Sequence, residues 1–241
     1  MSIFGSQSLN ISPYIARLLP AQPCFLCGAS SHDGLCCSAC ADSLPHHTGP
    51  ACTVCAAPLP SGEVCGRCLQ HPPGFMHTLA AFRYEFPLDS LIKALKFDEQ
   101  LILANFLADA LASRIRSLPD CLLALPLHPA RLRERGFNQS QLLASRLAAV
   151  LRLPLLTGAA SRVRDTPPQS TLPWRARSRN MRRTFALTAG LDVRDKHVAI
   201  VDDVMTTGAS IDALAHLLRD AGAREVSAWV VARTVPHREK R

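Results

Sequence analysis

Val198-Ala-Ile-Val-Asp202-Asp203-Val-Met-Thr206-Thr207-Gly208-Ala209-Ser210 is the stretch that decides the fold. Its first four residues are apolar and read as a buried strand, and the run ends on two adjacent carboxylates. The following Thr-Thr-Gly-Ala-Ser lies between that strand and a helical segment, Ser210 to Ala221, closed by Gly222. At such a turn, free backbone N–H groups and the positive end of the helix dipole attract a phosphate. Small side chains let the backbone approach a ligand, and the hydroxyls add donors. Asp202 and Asp203 are then placed to accept hydrogen bonds from the vicinal hydroxyls of a ribose, with a magnesium ion as a companion.

Outward from this stretch, strand and helix alternate. Leu79 to Tyr84 reads as a strand. From Pro87, the residues Leu88, Leu91, Ile92, Leu95 and Phe97 fall at helical spacing, with Lys93 and Lys96 on the other face. A further helix covers about Leu101 to Ile115, Cys121 to Leu127 is a short buried strand, Gln139 to Leu151 is a helix, and Val226 to Ala232 is a last strand. Repeated strand-helix-strand units imply an α/β fold, a parallel sheet with helices on both faces, and such sheets bind ligands at the carboxyl ends of their strands.

One such end carries Leu125-Pro-Leu-His-Pro-Ala-Arg131-Leu-Arg133-Glu-Arg135-Gly136-Phe137-Asn138-Gln139. Arg131, Arg133 and Arg135 are candidate ligands for anionic oxygens, while Gly136 and Asn138 suit a sharp helix entry. From Ser161 to Arg183 the chain is rich in Arg, Pro, Thr and Ser without periodicity, as expected of a functional loop that closes over an anion.

Charge points the same way. The chain carries +8 overall, yet Arg114 to Arg183 holds fourteen Arg and no Lys against Asp120, Glu134 and Asp165, so 14 − 3 gives +11 there and −3 elsewhere. Guanidinium forks match phosphate oxygens, so the partners expected are phosphate-bearing, small or polymeric. The candidates for a nucleic-acid backbone are Arg164, Arg175, Arg177, Arg179, Arg182 and Arg183. With aromatic content of only 5%, Trp174 and Phe137 are the stacking candidates, and single-stranded DNA would be held mainly by charge.

Nine of the ten cysteines lie between Cys24 and Cys68. Cys24-x-x-Cys27 precedes Cys37-x-x-Cys40, and the pattern repeats 28 residues later as Cys52-x-x-Cys55 and Cys65-x-x-Cys68. Such knuckles each place two thiolates on one tight turn, so the eight can hold one or two structural zinc ions. Ligation can be sequential or interleaved; spacing alone does not choose. Cys36 and Cys121 are left over, as are His46, His47, His71 and His77. The start of the chain has no basic-then-apolar leader, and no run approaches the roughly 20 apolar residues of a membrane span, so a soluble cytoplasmic protein without membrane insertion is expected. The organisation expected is an N-terminal segment, 1–22, a cysteine module, 23–72, and an α/β domain, 75–241, divided at His71-Pro-Pro-Gly74.

The Val198–Ser210 stretch resembles the 5-phosphoribosyl-1-pyrophosphate (PRPP) signature of type I phosphoribosyltransferases. Nearly the whole chain is similar to the ComF/GntX family. The resemblance rests on the cysteine module, Tyr84-x-x-Pro87-Leu88 through Phe97, Arg133-x-Arg135-Gly-Phe-Asn-Gln139, Thr166-Pro-Pro-Gln169, Arg175, Arg179-Asn180 and Phe185. It implies a role in DNA uptake, natural transformation or DNA utilisation, with Asp202, Asp203, Thr206, Thr207, Gly208, Ala209 and Ser210, together with the three arginines of the upstream loop, as a ribose-5-phosphate or PRPP site. It also implies single-stranded DNA and a helicase or channel of the uptake machinery as partners. A transferase acting with magnesium and PRPP on a nucleophile is the rival reading, and an adaptor with an idle pocket a third.

Overall fold

The computed structural model describes residues 22–32, 34–163 and 184–234. Trp174, the Thr166–Gln169 motif, Arg164, Arg175, Arg177, Arg179, Arg182 and Arg183 lie outside the described residues.

The described chain divides into two compact units that meet in sequence at Leu44 and Pro45. The first holds a short antiparallel pair, β1 (Gln22–Pro23) and β2 (Ser30–Ser31), and a helical turn, α1 (Ser38–Asp42).

The second unit begins with its own cysteine knuckles and the helical turn α2 (Gly66–Gln70). It continues through β3 (His77–Arg83), α3 (Leu88–Phe97), α4 (Ile102–Ala112), β4 (Cys121–Ala124), α5 (Pro129–Arg135) and α6 (Gln139–Leu151). A small hairpin follows, β5 (Ala160–Arg162) and β6 (Phe185–Leu187), then β7 (His197–Met205), α7 (Ala209–Asp220) and β8 (Glu225–Arg233). The four long strands run parallel in the order β3-β8-β7-β4.

β7 is central, and its alternation places Val198 and Ile200 in one core with Ile211, Leu214 and Leu218 of α7. Ala199 and Val201 are equally buried on the other face, where α4 and α6 pack on each other and on the sheet. Helices therefore cover both faces, as the strand-helix alternation predicts. The face shared with α7 also includes Cys52, Cys55, Ala56, Ala57, Cys68 and Phe75. The second pair of knuckles thus shares the hydrophobic core of the sheet, whereas the sequence boundary at 72–75 groups it with the first.

Two differences from the sequence expectation have simple causes. β7 runs on to Met205, because Asp202 and Val204 still find ladder partners in Val230 and Ala232, so both carboxylates stand within the strand. The upstream arginine loop folds as α5, with Pro129 at its first turn, His128 capping Ala130 N, and Gly136 closing it at φ 79°.

Candidate functional site

The turn after β7 is shaped by Gly208, the N-cap of α7, at φ 78° and ψ 2°. That left-handed φ favours glycine, and a Cβ there would also stand 2.4 Å from the Met205 Cε, so the methionine would have to move. Its carbonyl accepts from Asp212 N at 2.8 Å, and Thr207 Oγ1 stands 3.4 Å from Ala209 N. An open cleft of ≈ 60 Å³ is lined by Asp202, Thr206, Thr207, Gly208, Ala209 and Ser210. Both threonines are exposed, so amide and hydroxyl donors at a helix N-terminus stand beside a carboxylate.

The two acids differ in setting. Asp203 is buried, with one carboxylate oxygen paired to Lys96 Nζ and the other accepting from Gln139 Nε2 at 3.2 Å. Asp202 is half-buried and accepts from Ser140 Oγ at 2.8 Å and from Asp203 N at 2.9 Å. Burial, and then the neighbouring Asp203 charge, push the Asp202 carboxyl up to about 7. Asp202 is therefore the acid at the cleft, and Asp203 is the one that fixes α3 and α6 to the strand. Lys96, Gln139 and Ser140 were not singled out from sequence as members of this site. Lys96 reads there as the polar face of a helix, yet its position in the last turn of α3 brings its ammonium to the strand's carboxylate.

The three arginines of α5 separate likewise. Arg135 donates to Gln139 Oε1 at 2.7 Å and stacks 5.3 Å from the centre of the exposed Phe97 ring, joining the network that ends at Asp203. Arg131 and Arg133 are exposed on the same helix.

A buried arginine missed in the sequence holds the turn from behind. Arg233, at the end of β8, donates from Nη1 to the carbonyls of Met205 at 3.0 Å and of Thr206, and from Nε to the Cys55 carbonyl at 2.8 Å. One guanidinium thus ties the turn to the second cysteine knuckle. Reading Val226–Ala232 as the last strand stops one residue short of it. Gly74 makes a second tie: its N–H donates to Asp212 Oδ1 at 2.7 Å, and a Cβ on it would stand 2.8 Å from His216 N. A narrow crevice lies between Arg67, Cys68 and His71 of the knuckle and Thr207 and Gly208.

The cysteines form two groups of four, Cys24, Cys27, Cys37 and Cys40, and Cys52, Cys55, Cys65 and Cys68, so ligation is sequential. Cys27 Sγ and Cys37 Sγ are 3.8 Å apart, and Cys55 Sγ and Cys65 Sγ 3.7 Å. Thiolates about 2.3 Å from a tetrahedral zinc stand about 3.8 Å apart, so both groups fit that ion. Cys37 N donates to Cys24 Sγ and Cys65 N to Cys52 Sγ, each at 3.3 Å. Donation of this kind draws Cys24 down to about 6, and it takes Cys52 to about 7 against the opposing effect of burial. Four sulfurs close each site, which makes the role of the ion structural.

Over 226 residues the chain is 38% identical to the DNA utilization protein YhgH of Salmonella typhi, covering 88% of this chain and 97% of that one. It is 31% identical to competence protein F of Haemophilus influenzae over 226 residues, 87% of this chain and 96% of that one. The chain belongs to the ComF/GntX family. Within this ComF/GntX chain, residues 14–69 match a double zinc ribbon domain and residues 137–241 a phosphoribosyl transferase domain. Among solved structures, the glutamine PRPP amidotransferase of B. subtilis is similar over 53% of this chain and 25% of that one, at 22% identity and a TM-score of 0.39. The ComF/GntX sheet is of the type I phosphoribosyltransferase kind, preceded by two ribbons of four cysteines each. No helix among the described residues is long and apolar enough to cross a membrane.

Proposed function

We propose that this chain handles single-stranded DNA in the cytoplasm during DNA uptake or utilisation, and that its Asp202–Ser210 turn binds a ribose 5-phosphate or PRPP-like ligand. The observation that carries the ligand is the cleft at the carboxyl end of β7, where the N-terminus of α7 and the threonine hydroxyls stand beside Asp202. A 5-phosphate accepts from the turn's N–H and O–H groups, while ribose hydroxyls donate to Asp202. Exposed Arg131 and Arg133, and Arg135 beside them, stand ready for further phosphate oxygens. The DNA reading draws support from the relatives named for DNA utilization and competence, and from the +11 carried between Arg114 and Arg183. The partner expected with the DNA is a helicase or channel component of the uptake machinery.

A working phosphoribosyltransferase is the second reading, favoured by the intact acid pair and by the anchoring of Asp203 on Lys96. Magnesium would then accompany PRPP at Asp202, and catalysis would rest on positioning and electrostatic stabilisation. Calorimetric titration with PRPP and magnesium, beside a single-stranded oligonucleotide at two salt concentrations, tests both. Saturable PRPP binding lost in Asp202→Asn, with DNA affinity falling steeply as salt rises, is the expected result. Absence of PRPP binding in the folded protein would overturn the ligand assignment and the transferase with it. DNA binding that ignores salt would overturn the electrostatic reading.

A further inference from the structure

At the end of the sheet opposite the phosphate turn, neighbouring strands begin with His77 of β3, Glu225 of β8 and His197 of β7. Their ligand atoms all lie within 4.8 Å of one another. Glu225 Oε1 is 3.5 Å from His77 Nδ1 and 3.7 Å from His197 Nε2. Ligand atoms at about 2.0 Å from a tetrahedral zinc stand about 3.3 Å apart, so small side-chain rotations close all three on one ion. We infer that His77, His197 and Glu225 form a third metal site, distinct from both cysteine centres, that takes a first-row divalent cation such as zinc.

The donors sit on strands and not on loops, which fixes their spacing. His197 is in register with Glu225, and His77 with Ser227, so the ladders themselves hold the trio. The His197 ring is almost enclosed, which holds its orientation toward Glu225. His77 is 45% exposed, leaving water access to the remaining coordination positions. Asp120, which accepts from His197 N at 2.7 Å, adds negative charge nearby, and Arg224 pairs with it at 3.4 Å. Two imidazoles with one carboxylate suit zinc, cobalt or nickel and not magnesium or calcium, which prefer oxygen throughout. The site is also remote from any magnesium bound with a phosphoribosyl ligand: β7 runs from His197 to Met205, ~26 Å at the usual rise per strand residue. His197 Nε2 now meets Ser227 Oγ at 2.8 Å, a hydrogen bond that metal entry would replace. An ion there would tie together the starts of β3, β8 and β7, a structural role.

The test uses the full chain with zinc in its cysteine centres, exchanged into metal-free buffer and titrated with cobalt(II) or zinc. One further equivalent is expected beyond the cysteine-bound ions. Its cobalt spectrum should show d–d bands without the sulfur-to-cobalt charge transfer of a cysteine site, and the unfolding temperature should rise. His77→Ala and Glu225→Gln, both at partly exposed positions, should each weaken this binding by roughly 100-fold, at the far end of what even loss of an outer partner costs a metal site. The absence of a further equivalent in the unsubstituted chain, or binding of equal strength in both variants, overturns the assignment.

Discussion

The two cysteine groups are copies in sequence and near-copies in geometry, yet they belong to different parts of the molecule. Each has the same Cys-x-x-Cys spacing, and the third cysteine of each caps a five-residue helix, Cys37 at φ −65° and ψ 159°, Cys65 at φ −72° and ψ 152°. The first group forms part of the compact unit that ends at Leu44, and its Cys27 is exposed. The second is buried at Cys52, Cys55 and Cys68, shares the core with α7 and β7, and hands a carbonyl to Arg233. A duplicated ribbon has thus been used once as a separate module and once as part of the wall behind the phosphate turn. Metal binding is folding free energy in both, but only the second ion should be felt at the turn.

The largest expected effect follows directly. Cys52→Ser with Cys55→Ser opens the second centre inside the core, and the unfolding temperature of the sheet should fall by ~10 °C or more, with about 2–4 °C lost per kcal/mol in a domain of this size. PRPP binding should vanish in the same variant. A sheet that unfolds at its normal temperature without this ion would show that the shared core is incidental.

Next comes the anchor acid. Asp203→Asn leaves Lys96 without its buried partner and should destabilise the unit by about 3–5 kcal/mol, read as a shift of the urea midpoint. Asp202→Asn, at the cleft, should leave stability nearly unchanged below about pH 4, where the acid is protonated in both folded and unfolded chains, and remove ligand binding. Equal stability losses in the two variants would erase the division of labour between the carboxylates.

Arg233→Met severs the link between ribbon and turn while keeping a side chain of similar length. Leaving buried carbonyls without their donor should cost about 3 kcal/mol. Zinc content should stay unchanged, with PRPP affinity down by roughly tenfold if ~1.4 kcal/mol of that loss falls on the bound state. Unchanged affinity would mean that the turn holds its shape without the ribbon.

A smaller effect is written into Asp202. Its carboxyl is raised from 3.8 unfolded to about 7 folded, so the folded chain keeps a proton that the unfolded chain releases. The stability this contributes is fully present below about pH 4 and is lost as pH rises through about 7. Ligand binding runs the other way, because ribose hydroxyls need the ionised acceptor. Affinity should therefore rise by ~10-fold between pH 6 and 8, as the ionised fraction of a group titrating near 7 does. Affinity that stays flat over this range would assign the ionised acceptor to another group.

Much of this was legible in the sequence because local periodicity and local chemistry coincide there. The β7 turn, its glycine and the strand-helix order all follow from neighbours in the chain, and α6 spans the same residues, Gln139 to Leu151, in both readings. What the sequence could not carry is contact between distant positions. Lys96 meets an acid more than a hundred residues away, and Arg233 reaches Cys55 across 178 positions of chain. The choice between sequential and interleaved ligation, and the placing of one ribbon in the sheet's core, depend on how chain segments pack and leave no periodic trace. The hairpin β5–β6 was missed because each strand is only three residues long, on either side of the arginine-rich segment.

The smallest expected effect is the sharpest test of the comparison. Cys24→Ser with Cys27→Ser destroys the first centre and should remove one zinc per chain in a metal assay. The contacts that hold the phosphate turn, from Arg233, Gly74 and the ladder of β7 with β8, all come from the unit that begins at Pro45. PRPP affinity should accordingly stay within about twofold, less than about 0.5 kcal/mol, and the sheet's unfolding should be unmoved. Loss of DNA binding or of uptake in that variant, with PRPP binding intact, would give the first ribbon a docking role separate from the turn. Loss of PRPP binding would instead show that the two ribbons act as one body, and the contrast between the copies would fall.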